Sequence, residues 1–283
     1  MKNVFSNNHL SLFLPVLLFI FLIPLISTAQ EKTSCHCAGM APSGKGTLYI
    51  TAGYNLDWFT NSDIHFQDHT TDNYDFTLYN VKAEDRPGLE DLLHEDITIP
   101  QYSFRVGYWF NNKKDLAIEI NYDHVKYVMI QNQRVHMTGN LRGEYYDQDT
   151  TLVSSFIRYE HTNGANYAML DIVKRFNLWH AANEKQWLSA ITKAGVGFVL
   201  PRTDSYIAGN HRNDTYHVAG YVAGMEAGLR YAFLKYFFLE TTMKGCFANY
   251  ANVVLYGDGI ASQHWWSAEY IFTLGLQMPV RIF

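Results

Sequence analysis

The residues best placed to do chemistry lie together in "RYEHTNGANYAML", Arg158 to Leu170, where Glu160, His161, Thr162 and Asn163 follow one another and Asp171 comes just after. An imidazole beside a hydroxyl, with a carboxylate behind it, is the set needed for ester hydrolysis. His161 would remove the Thr162 proton, the alkoxide would attack an acyl carbonyl, and Glu160 or Asp171 would hold the ring. Spacing works against this set in a strand, where residues i and i+2 share a face and neighbours point apart. The residue two after His161 is Asn163, which is not a nucleophile. A bulge at Gly164 would be needed to bring Thr162 round. The competing reading makes His161 and Asn163 hydrogen-bonding residues of a wall, with "NGAN" as turn chemistry.

Other chemical candidates are thinner. Asp123 and His124 are adjacent and so face opposite ways, and the spacing of His211 and His217 does not by itself require a metal. Cys35-His36-Cys37 is a single C-x-C with no second pair, which reads as an oxidised or partnered pair in an exported tail, with a metal site as the alternative. No cofactor or metal is expected from these patterns.

What must position such residues is a set of strands, because from residue 45 onward the dominant signal is alternation of period two. Tyr102, Phe104, Val106, Tyr108 and Phe110 oppose Ser103, Arg105 and Gly107; Ala219, Tyr221, Ala223, Met225, Ala227, Leu229 and Tyr231 oppose Gly220, Gly224, Glu226, Gly228 and Arg230. The same pattern runs through 47–58, 115–125, 165–176, 187–200, 236–249 and 264–277. The polar faces collect seven acids, Asp57, Glu119, Asp123, Asp171, Glu226, Glu240 and Glu269, and five bases, Arg105, Arg175, Lys193, Arg230 and Lys244. Unpaired, each would cost several kcal/mol in a narrow interior, so they must pair or hold water.

The chain has 283 residues, a formal net charge of -5, 16% aromatic and 17% charged residues. That is too aromatic and too poor in charge for disorder, and no basic stripe is present to neutralise phosphates, so nucleic acid is not an expected partner. One Lys, an apolar run from Leu10 to Ile26 and Ser27-Thr28-Ala29 read as a cleaved signal peptide over 1–29. A flexible segment over 30–44 and a barrel over 45–283 would follow.

Aromatics at the ends of apolar faces, segments of bilayer-crossing length, and alternating short ("NNKK", "FLK") and long polar connections give an all-β, antiparallel up-and-down barrel. The count is eight strands, with ten to twelve as the alternative, because "NYDFTLYNVK" and "TLVSSFIRYEH" form either hairpins above the membrane or further spans. With its alternating last segment "YIFTLGLQMPVRIF" ending at Phe283, the chain resembles bacterial outer-membrane barrel proteins. That resemblance implies outer-membrane lipid as surroundings, periplasmic termini, and the barrel assembly machinery as a partner reading the last strand. "EHTNG" is also similar, one residue out of register, to the His-x-Ser-Asn signature of the lipid A deacylase family. The functions to be weighed are therefore a structural or loop-mediated binding protein, an acyl hydrolase acting on lipid A or phospholipid, and a narrow channel.

Overall fold

The computed structural model describes residues 46–86, 101–110, 115–182 and 185–280. The expected signal peptide, the segment 30–44 with Cys35 and Cys37, the "NNKK" turn and Phe283 lie outside the described residues. In chain order the strands are β1 (Gly46–Phe59), β2 (Ser62–Asp68), β3 (Tyr74–Val81), β4 (Ala83–Glu84), β5 (Ser103–Trp109), β6 (Leu116–Asp123), β7 (Tyr127–Met129), β8 (Arg134–Leu141) and β9 (Glu144–Thr151). They continue with β10 (Ile157–His161), β11 (Tyr167–His180), β12 (Trp187–Val199), β13 (Asp204–Ile207), β14 (Asn210–Asn213), β15 (Gly220–Ala232), β16 (Phe237–Val254) and β17 (Ile260–Val280).

Eight of them close a wall. The order is β1-β5-β6-β11-β12-β15-β16-β17, and β17 returns to pair with β1 from Gly46↔Val280 to Phe59↔Ser267. Every pairing around the ring is antiparallel. Closure satisfies each strand's backbone groups and removes the free edges, which is what a spanning wall needs where no water is available. The outward side chains are apolar through the middle: Ile120, Ile172, Val196 and Met225 are each more than half exposed. Exposed rings bound this belt above and below, with Trp58, Phe198, Tyr221 and Trp266 at one end and Phe110, Trp179, Tyr231 and Phe237 at the other. Tyr221 and Tyr231 are ten residues apart on β15, so at about 3.3 Å per residue and about 40° of tilt the belt is about 25 Å tall.

At the end with the short turns, a small apolar cluster of Tyr49, Trp109, Trp187, Ile191 and Phe238 forms a floor inside the wall. A Cβ at Gly107 or Gly275 would fall inside the rings of Tyr49 and Phe238, so these two positions give the floor its room. At the opposite end the chain builds a cap. The segment Ile260–Gln263 of β17 rises past the wall and pairs with β2, and β3, β8 and β9 extend that sheet outward. A second sheet, ordered β14-β13-β10-β7-β4, packs over it. The two segments that the sequence left between hairpins and further spans thus belong to the cap: β3 carries the first, and β9 and β10 take up the second. Arg142 and Gly143, both with positive φ, make the tight two-residue turn between β8 and β9.

The cap has its own core, in which Ile64, Phe66, Phe76, Leu78, Met137, Ile157 and Tyr159 are buried with Tyr167, Tyr250 and Trp265 of the wall. Trp265 is sandwiched between Tyr127 and Tyr250, both with ring centroids at 4.4 Å. Such pairs add about 0.5–1.5 kcal/mol each beyond the burial itself.

Candidate functional site

Two places collect the sequence's chemical candidates: the lumen and the cap core around His161. In the lumen the side chains of Asp57, Glu119, Asp123, Asp171, Glu226, Glu240 and Glu269 are buried, as are those of Arg105, Lys193, Arg230 and Lys244. Alternation along each wall strand turns them inward, and the register stacks them within reach of one another. Arg105 contacts Glu119 at 3.4 Å, Asp123 at 3.3 Å and Glu226 at 3.3 Å. Lys193 lies 3.0 Å from Glu119, 3.0 Å from Glu226 and 2.7 Å from Glu240. Lys244 reaches Asp123 at 2.6 Å and Glu269 at 3.6 Å.

Half of these contacts run between strands that are not neighbours in the wall. Arg105 on β5 meets Glu226 on β15, and Lys244 on β16 meets Asp123 on β6, so the ion pairs act as cross-ties through the lumen. Below them Arg230 donates to Glu240 at 2.6 Å and lies over the rings of Phe238 (4.2 Å) and Tyr49 (4.5 Å). Arg175 pairs with Asp115 at 2.7 Å and stacks on Trp109 at 4.5 Å, at the floor. Asp171 accepts from the Asn121 amide at 2.7 Å, and Asp57 accepts from Gln101 at 2.8 Å near the cap. Side chains fill the interior of eight-stranded barrels, and here charged ones span the cross-section.

His161 lies fully buried in the cap core. Its Nδ1 is 2.9 Å from Thr203 Oγ1, and the Gln263 amide approaches Nε2 at 3.2 Å. With the amide donating to Nε2, the ring proton sits on Nδ1 and is given to Thr203. Tyr250 stacks on the imidazole at 5.5 Å and Tyr159 meets it edge-on at 4.9 Å. Burial, with a smaller push from nearby His217, holds the imidazole far below its usual range, at about 3.

The hydrolase set read from "EHTNG" is not brought together. A turn does form at Gly164, whose φ is positive and whose N–H donates to the His161 carbonyl at 3.0 Å. It leaves Thr162 out of the site, because both ring nitrogens are already taken by Thr203 and Gln263. Glu160 points the other way, toward Arg86 at 3.7 Å and Arg158 at 3.8 Å, and Asp171 belongs to the lumen. The remaining histidines are also separate: His124 bonds Asn166 at 2.7 Å, His211 bonds Asp204 at 2.7 Å, and His217 faces the Asn252 carbonyl at 2.8 Å. Among the described residues no cluster has the make-up of a metal site.

Sequence reasoning missed a groove of about 500 Å³ on the outside of the wall, where Tyr221, Phe247, Trp266, Asn249, His264 and Asp63 meet. Its only trace in the sequence is the change from apolar to polar along the outward face of β17, from Trp266 to His264.

No protein-family model matches the chain, and no curated protein matches it. Among solved structures it is similar to Neisserial surface protein A, with 10% identity, 81% of this chain and 96% of that chain covered, and a TM-score of 0.35. It is similar to outer membrane protein AlkL in lipid bilayers, with 12% identity, 89% and 97% covered, and a TM-score of 0.35. It is also similar to outer membrane protease OmpT from Escherichia coli, with 9% identity, 90% and 100% covered, and a TM-score of 0.34. At such scores the barrel rests on the chain's own strand pairing, and its role on its own side chains.

Proposed function

We propose that this chain is a bacterial outer-membrane barrel closed to solutes, which works through the sheets it projects beyond the wall and binds a partner there. The termini and short turns face the periplasm, and the cap faces outward. One observation carries the reading: ion pairs cross-tie the lumen between an aromatic floor and a packed cap, so the wall is a mount and the cap the working part. The outer face of the β2-β3-β8-β9 sheet is polar and accessible, with His65 against Asp75 at 2.8 Å, His136 against Asp147 at 3.1 Å, and Tyr79 accepting from Thr138 at 3.1 Å. A hydrolase is less well supported, because its hydroxyl, base and acid are apart.

Two measurements test this. Purified chain in a planar bilayer gives no discrete conductance steps, and regular steps would refute closure. Thr77→Cys on the projecting face reacts with a membrane-impermeant maleimide on intact cells. Labelling only after the outer membrane is broken would reverse the orientation.

A further inference from the structure

We infer that the groove on the outside of the wall holds the neutral sugar headgroup of an outer-leaflet amphiphile, whose acyl chain lies against the wall below. This rests on reading the apolar belt as the part inside the bilayer. The groove exists because β17 changes partners. β1 stays with it to Phe59↔Ser267, and the Thr60 N–H donates to the Trp266 carbonyl at 2.9 Å. β2 takes over only at Ile64↔Gln263. Between the two ladders the chain swings away and leaves a notch over Trp266, Phe247 and His264. The roof is held in place: Asn61 donates to Asn80 Oδ1 at 2.8 Å, and the Asn80 N–H donates to Asp63 Oδ1 at 2.7 Å.

The floor is aromatic. Phe247 lies 5.2 Å from Trp266 and 6.3 Å from Tyr221, and Trp266 remains 60% exposed. These rings stand at the cap-side limit of the belt, where one end of a bound molecule is wet and the other is in lipid. Above them Asn249 and His264 sit opposite each other in the β16–β17 register; the His264 ring lies 5.8 Å from Phe247, and among the described residues neither side chain finds a hydrogen-bond partner. Flat rings for the C–H face of a sugar, with amides, an imidazole and a carboxylate for its hydroxyls, are the groups that a neutral glycan needs. Among the described residues no Lys or Arg lines the groove, whereas Asp63 does. A phosphate there would meet an unopposed carboxylate, so the headgroup is not phosphorylated.

The surface below fits an acyl chain. Directly beneath Phe247 and Trp266 the outward row is Met225, Gly245 and Ala268, and a Cβ at Gly245 would meet nothing within 4 Å. A shallow track thus leads from the groove down the belt. Free of positive φ and open to space, Gly245 also accepts a side chain, which makes the track testable.

The experiment uses the full chain folded in a sugar-free zwitterionic detergent and transferred to native mass spectrometry. The probes are a dialkylglycerol carrying a neutral disaccharide, the same dialkylglycerol carrying phosphoglycerol, and the methyl glycoside of that disaccharide. One disaccharide lipid is retained at least about tenfold more tightly than the phosphoglycerol lipid, and the methyl glycoside does not displace it. Asn249→Leu and His264→Leu each weaken the disaccharide lipid about three- to tenfold, the size of one lost hydrogen bond, and leave the phosphoglycerol lipid unchanged. Gly245→Leu weakens both lipids. Equal retention of the two lipids, silent Asn249 and His264 variants, or displacement by the methyl glycoside at matched concentration would each overturn the inference. Flotation with vesicles separates this from the membrane reading. A wild-type chain that fails to float refutes the belt, whereas one that floats without selecting the sugar lipid refutes only the groove's ligand.

Discussion

Replacing Lys193 with Met removes one buried charge and keeps most of the side chain's volume. The ammonium is 3.0 Å, 3.0 Å and 2.7 Å from three carboxylates, so its loss leaves Glu119, Glu226 and Glu240 facing one another with one cation fewer. None is stranded: Glu119 keeps Arg105 and the Tyr49 hydroxyl at 2.6 Å, Glu226 keeps Arg105, and Glu240 keeps Arg230. Breaking a buried ion pair costs about 3–5 kcal/mol, and the remaining partners put this variant near the lower figure, about 3 kcal/mol. With a denaturant slope of about 1–3 kcal/mol per molar urea, the unfolding midpoint falls by about 1–3 M. The assay is urea unfolding in micelles, followed by tryptophan fluorescence and by the gel shift between folded and unfolded barrel. Thr192→Met, one residue away and on the other face, serves as the control and shifts stability by less than about 0.5 kcal/mol. Adding Glu226→Gln to Lys193→Met recovers part of the loss, because it removes one of the crowded acids and leaves Arg105 paired with Glu119 and Asp123. If Lys193→Met unfolds at the wild-type midpoint, these charges are hydrated rather than desolvated, and the argument for a closed lumen fails.

Ile172→Lys, placed in the middle of the belt where Ile172 is 67% exposed, costs about 2–4 kcal/mol in vesicles, whereas Asp147→Lys on the projecting sheet costs less than about 0.5 kcal/mol. Equal costs in vesicles would mean that the belt does not face lipid. His161 gives the cap a defined acid sensitivity. Its folded pKa of about 3 lies below the unfolded value of about 6.5, so the unfolded chain takes up the proton first. The His161 contribution is therefore complete above about pH 6.5, lower by about 2 kcal/mol at pH 5, and still falling toward pH 3. Proteolysis of the cap between pH 7.5 and 5 reads this, and a His161→Gln variant with an unchanged acid slope would disprove the assignment. Trp265→Ala removes the middle of a three-ring stack and costs about 3–5 kcal/mol. Hydrogen exchange shows it as faster opening of β7 and β10 with the turn-end floor unaffected, and uniform loosening of the whole barrel would refute separate cores.

The wall was legible in the sequence because ten or more alternating residues leave a strand only one workable register; a slip by one would put Glu226 and Arg230 in the lipid and Met225 and Leu229 in the lumen. The connections added the grouping of strands, since short turns at one end of the wall alternate with long excursions at the other. The cap was not legible in the same way. Its second sheet is made of strands of two to five residues, too short to show a period, and their pairing depends on distant chain segments. His161 illustrates the limit: its neighbour in sequence suggested Thr162 as partner, whereas folding supplies Thr203 from the run into β13 and Gln263 from β17. The β8–β9 hairpin did have a local sign in Arg142-Gly143, a pair suited to a tight turn. The groove had almost none, because the exchange of β1 for β2 along one side of β17 is a property of the ladder and not of any segment.

The seam between β1 and β17 also sets a schedule. The first and last described strands meet there over their whole common length, from Gly46↔Val280 to Phe59↔Ser267, and contacts between the chain's extremes are the slowest to find. Until β17 has been made, β1 stands with one side unsatisfied, and a waiting strand of that kind is the species that pairs with the wrong neighbour. Because β17 also carries the junction with β2, ring closure and completion of the projecting sheet fall at the same late moment. A lesion anywhere along those 21 residues should therefore appear less as a weakened native state than as a lower yield of chains that finish at all.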